Sequence, residues 1–206
     1  PEKKLLEIIE IAKSVNAYIL SDEVYRGLNQ TDKYTPSVAD LYEKGISVCS
    51  MSKVFSLAGL RLGWIASKNK DVIESCIHHR EYNMISCSII DECIAALALQ
   101  NADKIIKRNK KIIRECLSIL DDWVQTQKHF SYIKPQAGTT ALIYYDFDMT
   151  SKELCDKLAK EKGVFLTPGF CFETEHCFRV GYCKNPEELK NGLQKISEFI
   201  QESNLE

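Results

Sequence analysis

Hydrophobic residues in the first third of the chain change from a helical to a strand-like spacing. Apolar positions recur every three or four residues between Leu5 and Val15, which predicts a helix from Pro1 to about Ser14. Proline at the first helical position agrees with this start. Short apolar runs then predict three strands, at 17–20, 46–49 and 62–66. The first run has the unbroken apolar composition of a parallel strand that is buried on both faces.

The remaining pattern predicts further helices and strands. Residues 28–45 lack periodicity, which indicates a loop with one short helical turn near 38–42. Helices are predicted at 71–77, 89–99, 103–126, 151–162 and 185–200. The helix at 89–99 is rich in alanine and leucine and is expected to be buried. Strands are predicted at 132–133, 140–145, 164–169 and 178–182. Ser151 is expected to cap the helix that Gly163 ends. This mixture predicts an α/β fold.

Composition narrows the possible partners. The chain has 206 residues, of which 45% are hydrophobic, and a net charge of −2. It can bury the core of one large or two small domains, and its charge favours no polyanionic partner. A basic stretch lies between Lys104 and Lys111, but acidic residues follow on the same predicted helix. We interpret it as a solvated face and expect no nucleic-acid partner.

The nine cysteines indicate a reducing compartment. None of them forms a Cys-x-x-Cys pair and their number is odd, which argues against a disulfide framework. Cysteines used as small core hydrophobes are typical of a cytoplasmic protein. Adjacent histidines at 78–79 and the group Cys171, His176, Cys177 and Cys183 match no common zinc spacing. No metal site is expected.

The chain contains no apolar run near the roughly 20 residues that a membrane helix needs, so no membrane partner is expected. It opens on Pro1 rather than methionine and has no signal-peptide pattern. A piece or a processed product of a longer chain is therefore expected.

Lys53 is the first candidate for chemistry. It follows the predicted strand 46–49, within the run Ser50-Met51-Ser52-Lys53, and Arg61 comes after a short Ser-Leu-Ala-Gly segment. A lysine that leaves the end of a buried strand can be desolvated and kept deprotonated, which makes it a candidate Schiff-base nucleophile. The hydroxyls of Ser50 and Ser52 and the guanidinium of Arg61 are suitable donors for a cofactor phosphate.

Three further candidate residues lie at or within predicted strands. Asp22 and Tyr25 follow the strand 17–20, at the edge where α/β sheets usually bind ligands. Taken alone, such an acidic residue is more often a cap or a turn former. Arg179 interrupts an apolar strand, where burial requires a partner, either Glu173 or Glu175 in a salt bridge or the carboxylate or phosphate of a ligand.

Together these segments resemble the signatures of the class I/II aminotransferases, which are fold-type I enzymes dependent on pyridoxal phosphate (PLP). The motifs are Ser-x-Ser-Lys followed by Gly-x-Arg-x-Gly at 50–63, Asp-x-x-Tyr at 22–25, and Val-x-x-x-Pro-Gly at 164–169 before Phe-Arg-Val-Gly at 178–181. The resemblance implies an aspartate aminotransferase-like fold. Residues 1–110 would form the C-terminal part of its large PLP-binding domain, and residues 111–206 its small α/β domain.

The resemblance also implies roles for the candidate residues. Lys53 would form the Schiff base with PLP and carry a proton at the substrate. Asp22 would pair with the ring nitrogen and Tyr25 with the ring hydroxyl oxygen, while Ser50, Ser52 and Arg61 would hold the phosphate. Arg179 would bind the substrate α-carboxylate. The implied reaction transfers an amino group from an α-amino acid to a 2-oxo acid, and a homodimer is implied.

Parts of the family pattern do not occur in this sequence. The glycine-containing phosphate turn, the aromatic residue that stacks on the ring and the Asn-Pro-x-x-Pro-x-Gly loop would precede it. We therefore expect the 206 residues alone to form an incomplete site. Two alternatives stay open: a PLP-dependent carbon–sulfur lyase of the same fold, and a non-catalytic aminotransferase-like effector domain. Tyrosine at the fourth position of Asp-Glu-Val-Tyr favours transamination. A dicarboxylic substrate is not indicated, because no second arginine is clearly placed to bind a distal carboxylate.

Overall fold

The computed structural model describes residues 2–203, so the predicted role of Pro1 lies outside the described residues. The chain divides into two compact units, residues 1–109 and residues 110–206. The boundary falls inside one long helix, Ala102–Thr126. The assignment of these units to a cofactor domain and a small domain stays a prediction.

Unit 1 is built around a three-stranded sheet. Its elements are α1 Glu2–Ser14, β1 Ile19–Asp22, α2 Val38–Leu41, β2 Gly45–Ser50, β3 Gly63–Ser67, α3 Lys70–Asn83, α4 Ile89–Gln100 and the first turns of α5, Ala102–Thr126. Strand β2 lies in the middle, parallel to β1 and antiparallel to β3. The carboxyl ends of β1 and β2 therefore lie at the same edge of the sheet, together with the beginning of β3.

A small apolar cluster joins α1 to α2. Ile9 and Ala12 lie one helical turn apart on α1 and are buried with Val38 and Tyr42. The Tyr42 hydroxyl donates to the Ala17 carbonyl at 2.8 Å, which satisfies its polar end inside this cluster. Helical periodicity predicted this face only in part, because Ile8 and Val15 of the same apolar pattern are exposed.

Two predictions of burial in unit 1 are wrong. Strand β1 alternates between half-buried and exposed residues, and Leu20 is 70% exposed. Helix α4 buries only Ala95 and Ala98 among its residues, although its composition is strongly apolar. An apolar run predicts a tendency to be buried, whereas actual burial depends on which other segments pack against it.

Unit 2 packs helices with an antiparallel sheet. Its elements are the rest of α5, β4 Phe130–Tyr132, β5 Thr140–Tyr145, α6 Ser151–Lys157, β6 Thr167–Pro168, β7 Cys177–Gly181 and α7 Pro186–Glu202. The strand order is β4-β5-β7-β6. Buried side chains come from each layer: Ile113, Leu117, Leu120, Ile143, Leu154, Leu158, Phe178, Leu193, Ile196 and Phe199. The Trp123 ring on α5 lies 5.2 Å from that of Phe130, and its indole donates to Ser197 on α7 at 2.9 Å.

Two local details of unit 2 differ from the sequence prediction. Thr150, rather than Ser151, caps α6, because the Thr150 side chain accepts from the Glu153 amide. The strand predicted at 164–169 is reduced to β6, and a 3₁₀ turn, Gly169–Phe172, follows it. A π-helical segment, Leu158–Lys162, continues α6, and Gly163 ends it in a left-handed conformation with φ of 66°, as predicted.

The structure also bears on the sequence predictions about disulfides, metal sites and membrane helices. All nine cysteines are free thiols. Residues 2–203 contain no group of three or more histidine, cysteine or acidic side chains that could hold a metal ion. Within the same residues, no helix has the length and apolar character needed to cross a membrane.

Asp121 links α5 to the β4 region, and this link should weaken in acid. Lys134 and Tyr132 hydrogen-bond the carboxylate and lower its pKa below the usual 3.8. Its stabilising effect is therefore complete above the unfolded-state pKa and is lost as the pH falls through the lower folded-state pKa. Asp121→Asn should lower the free energy of unfolding by about 1 kcal/mol at pH 7. The difference from wild type should shrink as the pH approaches 3.

Urea unfolding of the purified protein at several pH values between 7 and 3 measures this effect. Asp122→Asn is the matched control, since it removes the same charge from the neighbouring, exposed position of the helix. A loss of stability that is equal for both variants, or that does not depend on pH, would contradict the prediction.

Candidate active site

Lys53 lies on a hydrogen-bonded turn that begins where β2 ends. The Met51 amide donates to the Leu62 carbonyl and the Leu57 amide to the Met51 carbonyl, both at 3.0 Å. Inside the turn, the Ser56 amide donates to the Lys53 carbonyl at 3.2 Å. Ser56 adopts a left-handed conformation with φ of 58°. The backbone around Lys53 is therefore fixed by bonds at both ends of the turn.

The Lys53 side chain is exposed in this unit. The apolar residues Met51, Val54 and Phe55 take the buried positions of the turn, which leaves the lysine on the outside. Within the described residues Lys53 is thus not desolvated, and its desolvation stays a prediction for the whole protein. Its Nζ lies 5.7 Å from the centre of the Tyr25 ring, within the range of a cation–π contact. It forms no ion pair with the described part of the chain.

Asp22 and Tyr25 follow the neighbouring parallel strand. The Glu23 amide donates to the Val48 carbonyl at 2.8 Å, so the pairing of β1 with β2 continues one residue past the end of β1. Asp22 is exposed, and its Oδ1 accepts from the Val24 amide at 3.0 Å, which is the turn-forming role that its residue type predicted. Its other carboxylate oxygen is not used in this turn. Tyr25 is half-buried in the next turn.

Glu23 is a buried residue of this region that the sequence analysis missed. It is only 7% exposed, and its Oε1 accepts from the Ser37 hydroxyl at 3.0 Å and the Val38 amide at 2.9 Å. Arg26 Nε lies 2.8 Å from its other oxygen. The spacing of three residues between opposite charges was the one signal available in the sequence. Glu23 thus fixes the segment between Asp22 and Tyr25 to the start of α2.

Ser50, Ser52 and Arg61 lie around the start of β3. Ser50 pairs with Gly63 across the sheet, and its hydroxyl accepts from the Ser52 amide at 3.3 Å. A side chain at Gly63 would approach the Cys49 carbonyl to 2.7 Å, so this position requires glycine. Arg61 has φ of 53°, is exposed, and uses Nη1 to donate to the Ala58 carbonyl at 2.8 Å. The structure therefore brings the segments of both halves of the lysine motif to the same edge of the sheet.

Arg179 lies in unit 2, on strand β7. Its neighbours Phe178 and Val180 are buried, and strand alternation places Arg179 on the exposed side. Arg179 is therefore not buried within this unit, and the folded unit does not require an acidic partner for it. Its Nη2 donates to the Thr167 hydroxyl at 3.4 Å, and its guanidinium carbon lies 5.1 Å from the centre of the Phe172 ring. Arg179 forms no ion pair within residues 2–203, which removes the salt-bridge alternative for this unit.

The turn beside Arg179 is held by a buried hydroxyl. Ser151 Oγ accepts from the Phe170 amide at 3.0 Å, and Gly169 fits so closely that a side chain there would meet the Thr174 carbonyl at 2.2 Å. The Ser151 amide donates to Glu175 at 2.8 Å, and this bond lowers the pKa of the Glu175 carboxyl. Glu175 is thus committed to Ser151 instead of Arg179. Phe172 was not identified from the sequence, where only the Pro-Gly turn was visible.

Two solved structures are similar to this fold. A PLP-dependent aminotransferase from Streptococcus suis superposes with a TM-score of 0.91 at 40% identity, over 96% of this chain and 52% of that one. An aromatic aminotransferase from Pyrococcus horikoshii gives a TM-score of 0.89 at 25% identity, over 99% and 56%. These structures confirm the predicted PLP-transferase fold.

Two curated relatives match most of this chain. A (5-formylfuran-3-yl)methyl phosphate transaminase from Methanocaldococcus jannaschii is 29% identical over 94% of this chain and 53% of its own length. A capreomycidine synthase from Streptomyces vinaceus is 26% identical over 94% and 50%. The chain thus spans about half the length of these relatives. Its residues 1–196 match the family described as aminotransferase class I and II, and the protein belongs to that family.

Proposed function

We propose that this protein is the part of a PLP-dependent aminotransferase that carries the cofactor lysine and the substrate-binding arginine. The observation that carries the proposal is the position of Lys53. Its amine lies beside the Tyr25 ring and pairs with no acidic side chain of residues 2–203, on a fixed turn next to the strand end that bears Asp22. Because the chain spans about half the length of its relatives, the activity is proposed for the whole protein.

The side chains at this sheet edge fit PLP by their chemistry. An amine suits the aldehyde, a carboxylate suits the protonated ring nitrogen, and a phenol suits the ring hydroxyl oxygen. The hydroxyls of Ser50 and Ser52 suit a phosphate, as does the guanidinium of Arg61, which has donors beyond the one bonded to Ala58. When bound, PLP supplies a conjugated ring that withdraws electrons from the substrate α-carbon.

Each residue then has a defined task. Lys53 Nζ is the nucleophile that holds the cofactor, and once freed it moves a proton at the substrate α-carbon. Asp22 keeps a negative charge next to the ring nitrogen and so retains the proton there. Tyr25 orients the ring through its hydroxyl, and Ser50, Ser52 and Arg61 anchor the phosphate. Glu23 maintains the spacing between Asp22 and Tyr25 through its buried contacts with Ser37 and Val38.

Arg179 binds the substrate α-carboxylate in this proposal. Its planar guanidinium is exposed, has no acidic partner in the described chain and is flanked by Thr167 and Phe172. This geometry leaves donors for a bidentate contact with a carboxylate, which lysine would not reproduce. The substrates are accordingly an α-amino acid and a 2-oxo acid. We further propose that the active form is a cytoplasmic homodimer, by analogy with the family.

Lys53 should carry the cofactor covalently. Borohydride reduction of the PLP-treated protein, followed by peptide mass mapping, should place a pyridoxyl group on the peptide that contains Lys53. Lys53→Ala should abolish this adduct and lower turnover by at least about 100-fold, because both the nucleophile and the proton carrier are lost. The exposed Lys70, on helix α3, provides the control variant Lys70→Ala, which should behave as wild type. An adduct confined to other lysines would refute the assignment.

Arg179 should determine affinity for the carboxylate. Arg179→Lys and Arg179→Gln should lower kcat/KM for the amino donor by roughly 10- to 100-fold, as expected for the loss of a charged hydrogen-bond pair. Binding of PLP, followed by absorbance, should be unchanged. Equal kcat/KM values for wild type and both variants would exclude Arg179 from substrate binding.

Loss of the Phe172 ring, which contacts Arg179, should lower kcat/KM less than loss of Arg179 itself. Phe172→Leu removes the aromatic ring and should reduce kcat/KM about 2- to 5-fold, the size expected of an exposed cation–π contact. Phe165→Leu is the control, because it changes an exposed phenylalanine of the same unit. If Phe165→Leu lowers kcat/KM as much as Phe172→Leu does, the loss comes from altered packing of the unit, and the prediction is contradicted.

The two alternative functions give different products. A carbon–sulfur lyase would release pyruvate and ammonia from cystathionine, whereas an aminotransferase would require a keto acid as acceptor. A non-catalytic effector domain would do neither. Assays of the whole protein with both substrates therefore separate the three possibilities.

A further inference from the structure

Helix α5 contains one buried polar side chain among its described residues, that of Asn109. It is 5% exposed, whereas the charged residues around it, from Lys107 to Lys111, are exposed or half-buried. A buried amide must find hydrogen-bond partners, since leaving one unpaired destabilises the fold by about 1–3 kcal/mol. The hydrogen-bond partners of the Asn109 amide therefore show which segment of the chain it stabilises.

Both partners of Asn109 belong to the turn that carries Lys53. Its Nδ2 donates to the Val54 carbonyl at 2.8 Å and lies 3.0 Å from the Ser56 hydroxyl. An amide nitrogen has two hydrogens, so it can make both bonds at once. One side chain thus holds two residues of the turn, Val54 directly after Lys53 and Ser56 near the end of the turn.

Besides the bonds at its two ends, the turn is held from outside by Asn109. It is neither helix nor strand, and Ser56 holds a left-handed backbone that non-glycine residues rarely adopt. The internal bond between the Ser56 amide and the Lys53 carbonyl is 3.2 Å long. Val54 is buried, so its carbonyl has no ready substitute for the Asn109 donor.

We propose that Asn109 is a positioning residue for Lys53, whose amide fixes the 51–57 turn so that the lysine amine is presented in one place. That Asn109 holds the turn follows from its hydrogen bonds to Val54 and Ser56. That this affects catalysis rests on the proposed function of Lys53. Asn109 acts through the backbone, and a rigidly held amine reacts faster than one on a mobile turn.

Asn109→Asp tests the proposal with little change in size. A carboxylate cannot donate to the Val54 carbonyl, so the tie is broken while the volume is kept. Asn83→Asp is the matched control, because Asn83 also donates to a backbone carbonyl, that of His79 at 3.0 Å, at the exposed end of α3. Ser56→Ala is the milder variant, since it removes one acceptor and keeps the bond to Val54.

The first measurement needs no turnover. Hydrogen exchange in the peptide that spans 51–57 should be about 10-fold faster in Asn109→Asp than in wild type, while peptides of the β4-β5-β7-β6 sheet stay unchanged. Borohydride trapping of PLP on Lys53, at limiting PLP and without substrate, should be about 10-fold slower. Ser56→Ala should change both rates about 3-fold, and the control not at all.

The second measurement separates positioning from mere stabilisation. In the whole enzyme, Asn109→Asp should lower kcat about 10-fold with little change in KM for the amino donor, and the double variant with Ser56→Ala should be no worse than Asn109→Asp alone. Normal trapping of Lys53 in an Asn109→Asp protein that is less stable to urea would overturn the proposal. If wild type itself forms no Lys53 adduct, the proposed function fails, whereas the exchange rates still decide whether Asn109 holds the turn.

Discussion

The pairing of β2 with a strand on each side is the constraint on which the Lys53 region depends. Parallel bonds to β1 align Asp22 with Val48, and antiparallel bonds to β3 align Ser50 with Gly63. Because the register on both sides is fixed, three separate loops leave the same edge of the sheet from defined points. A shift of one residue in either pairing would turn the alternating side chains to the opposite face and separate these loops.

Three buried polar side chains then fix the loops themselves. Glu23 binds the start of α2, Asn109 binds the turn after β2, and Ser151 binds the turn before β7. Each of them bonds backbone groups of a loop that precedes or carries a proposed site residue. Since a buried polar group tolerates few alternative arrangements, each of these side chains selects one loop conformation. These three buried side chains thus act on loops that precede or carry proposed site residues.

Arg179 illustrates how a strand can expose a charge without losing its apolar packing. Phe178 and Val180 contribute to the core of unit 2, and the alternation of the strand leaves Arg179 on the other face beside Thr167 and Phe172. The guanidinium therefore incurs little desolvation cost, and its donors remain available. This is the arrangement that a binding site for an anionic group requires.

Local signals in the sequence determined most of the elements. Helical periodicity predicted α1, α5 and α7, the short apolar runs predicted β2 and β3 to within about one residue, and Gly163 marked the end of the helical segment that continues α6. The spacing of the lysine, aspartate and arginine motifs identified the family. These features depend on neighbouring residues alone, so a single sequence is sufficient to reveal them.

Only the tertiary structure decided burial and partner choice. Leu20 and most apolar residues of α4 are exposed although their composition predicted burial, and Lys53 and Arg179 are exposed within their units. Glu23 and Asn109 could not be recognised, because their partners at Ser37, Val38 and Val54 lie far away in the sequence. Whether a side chain is covered or paired depends on segments that meet only after the chain has folded, and periodicity carries no information about them.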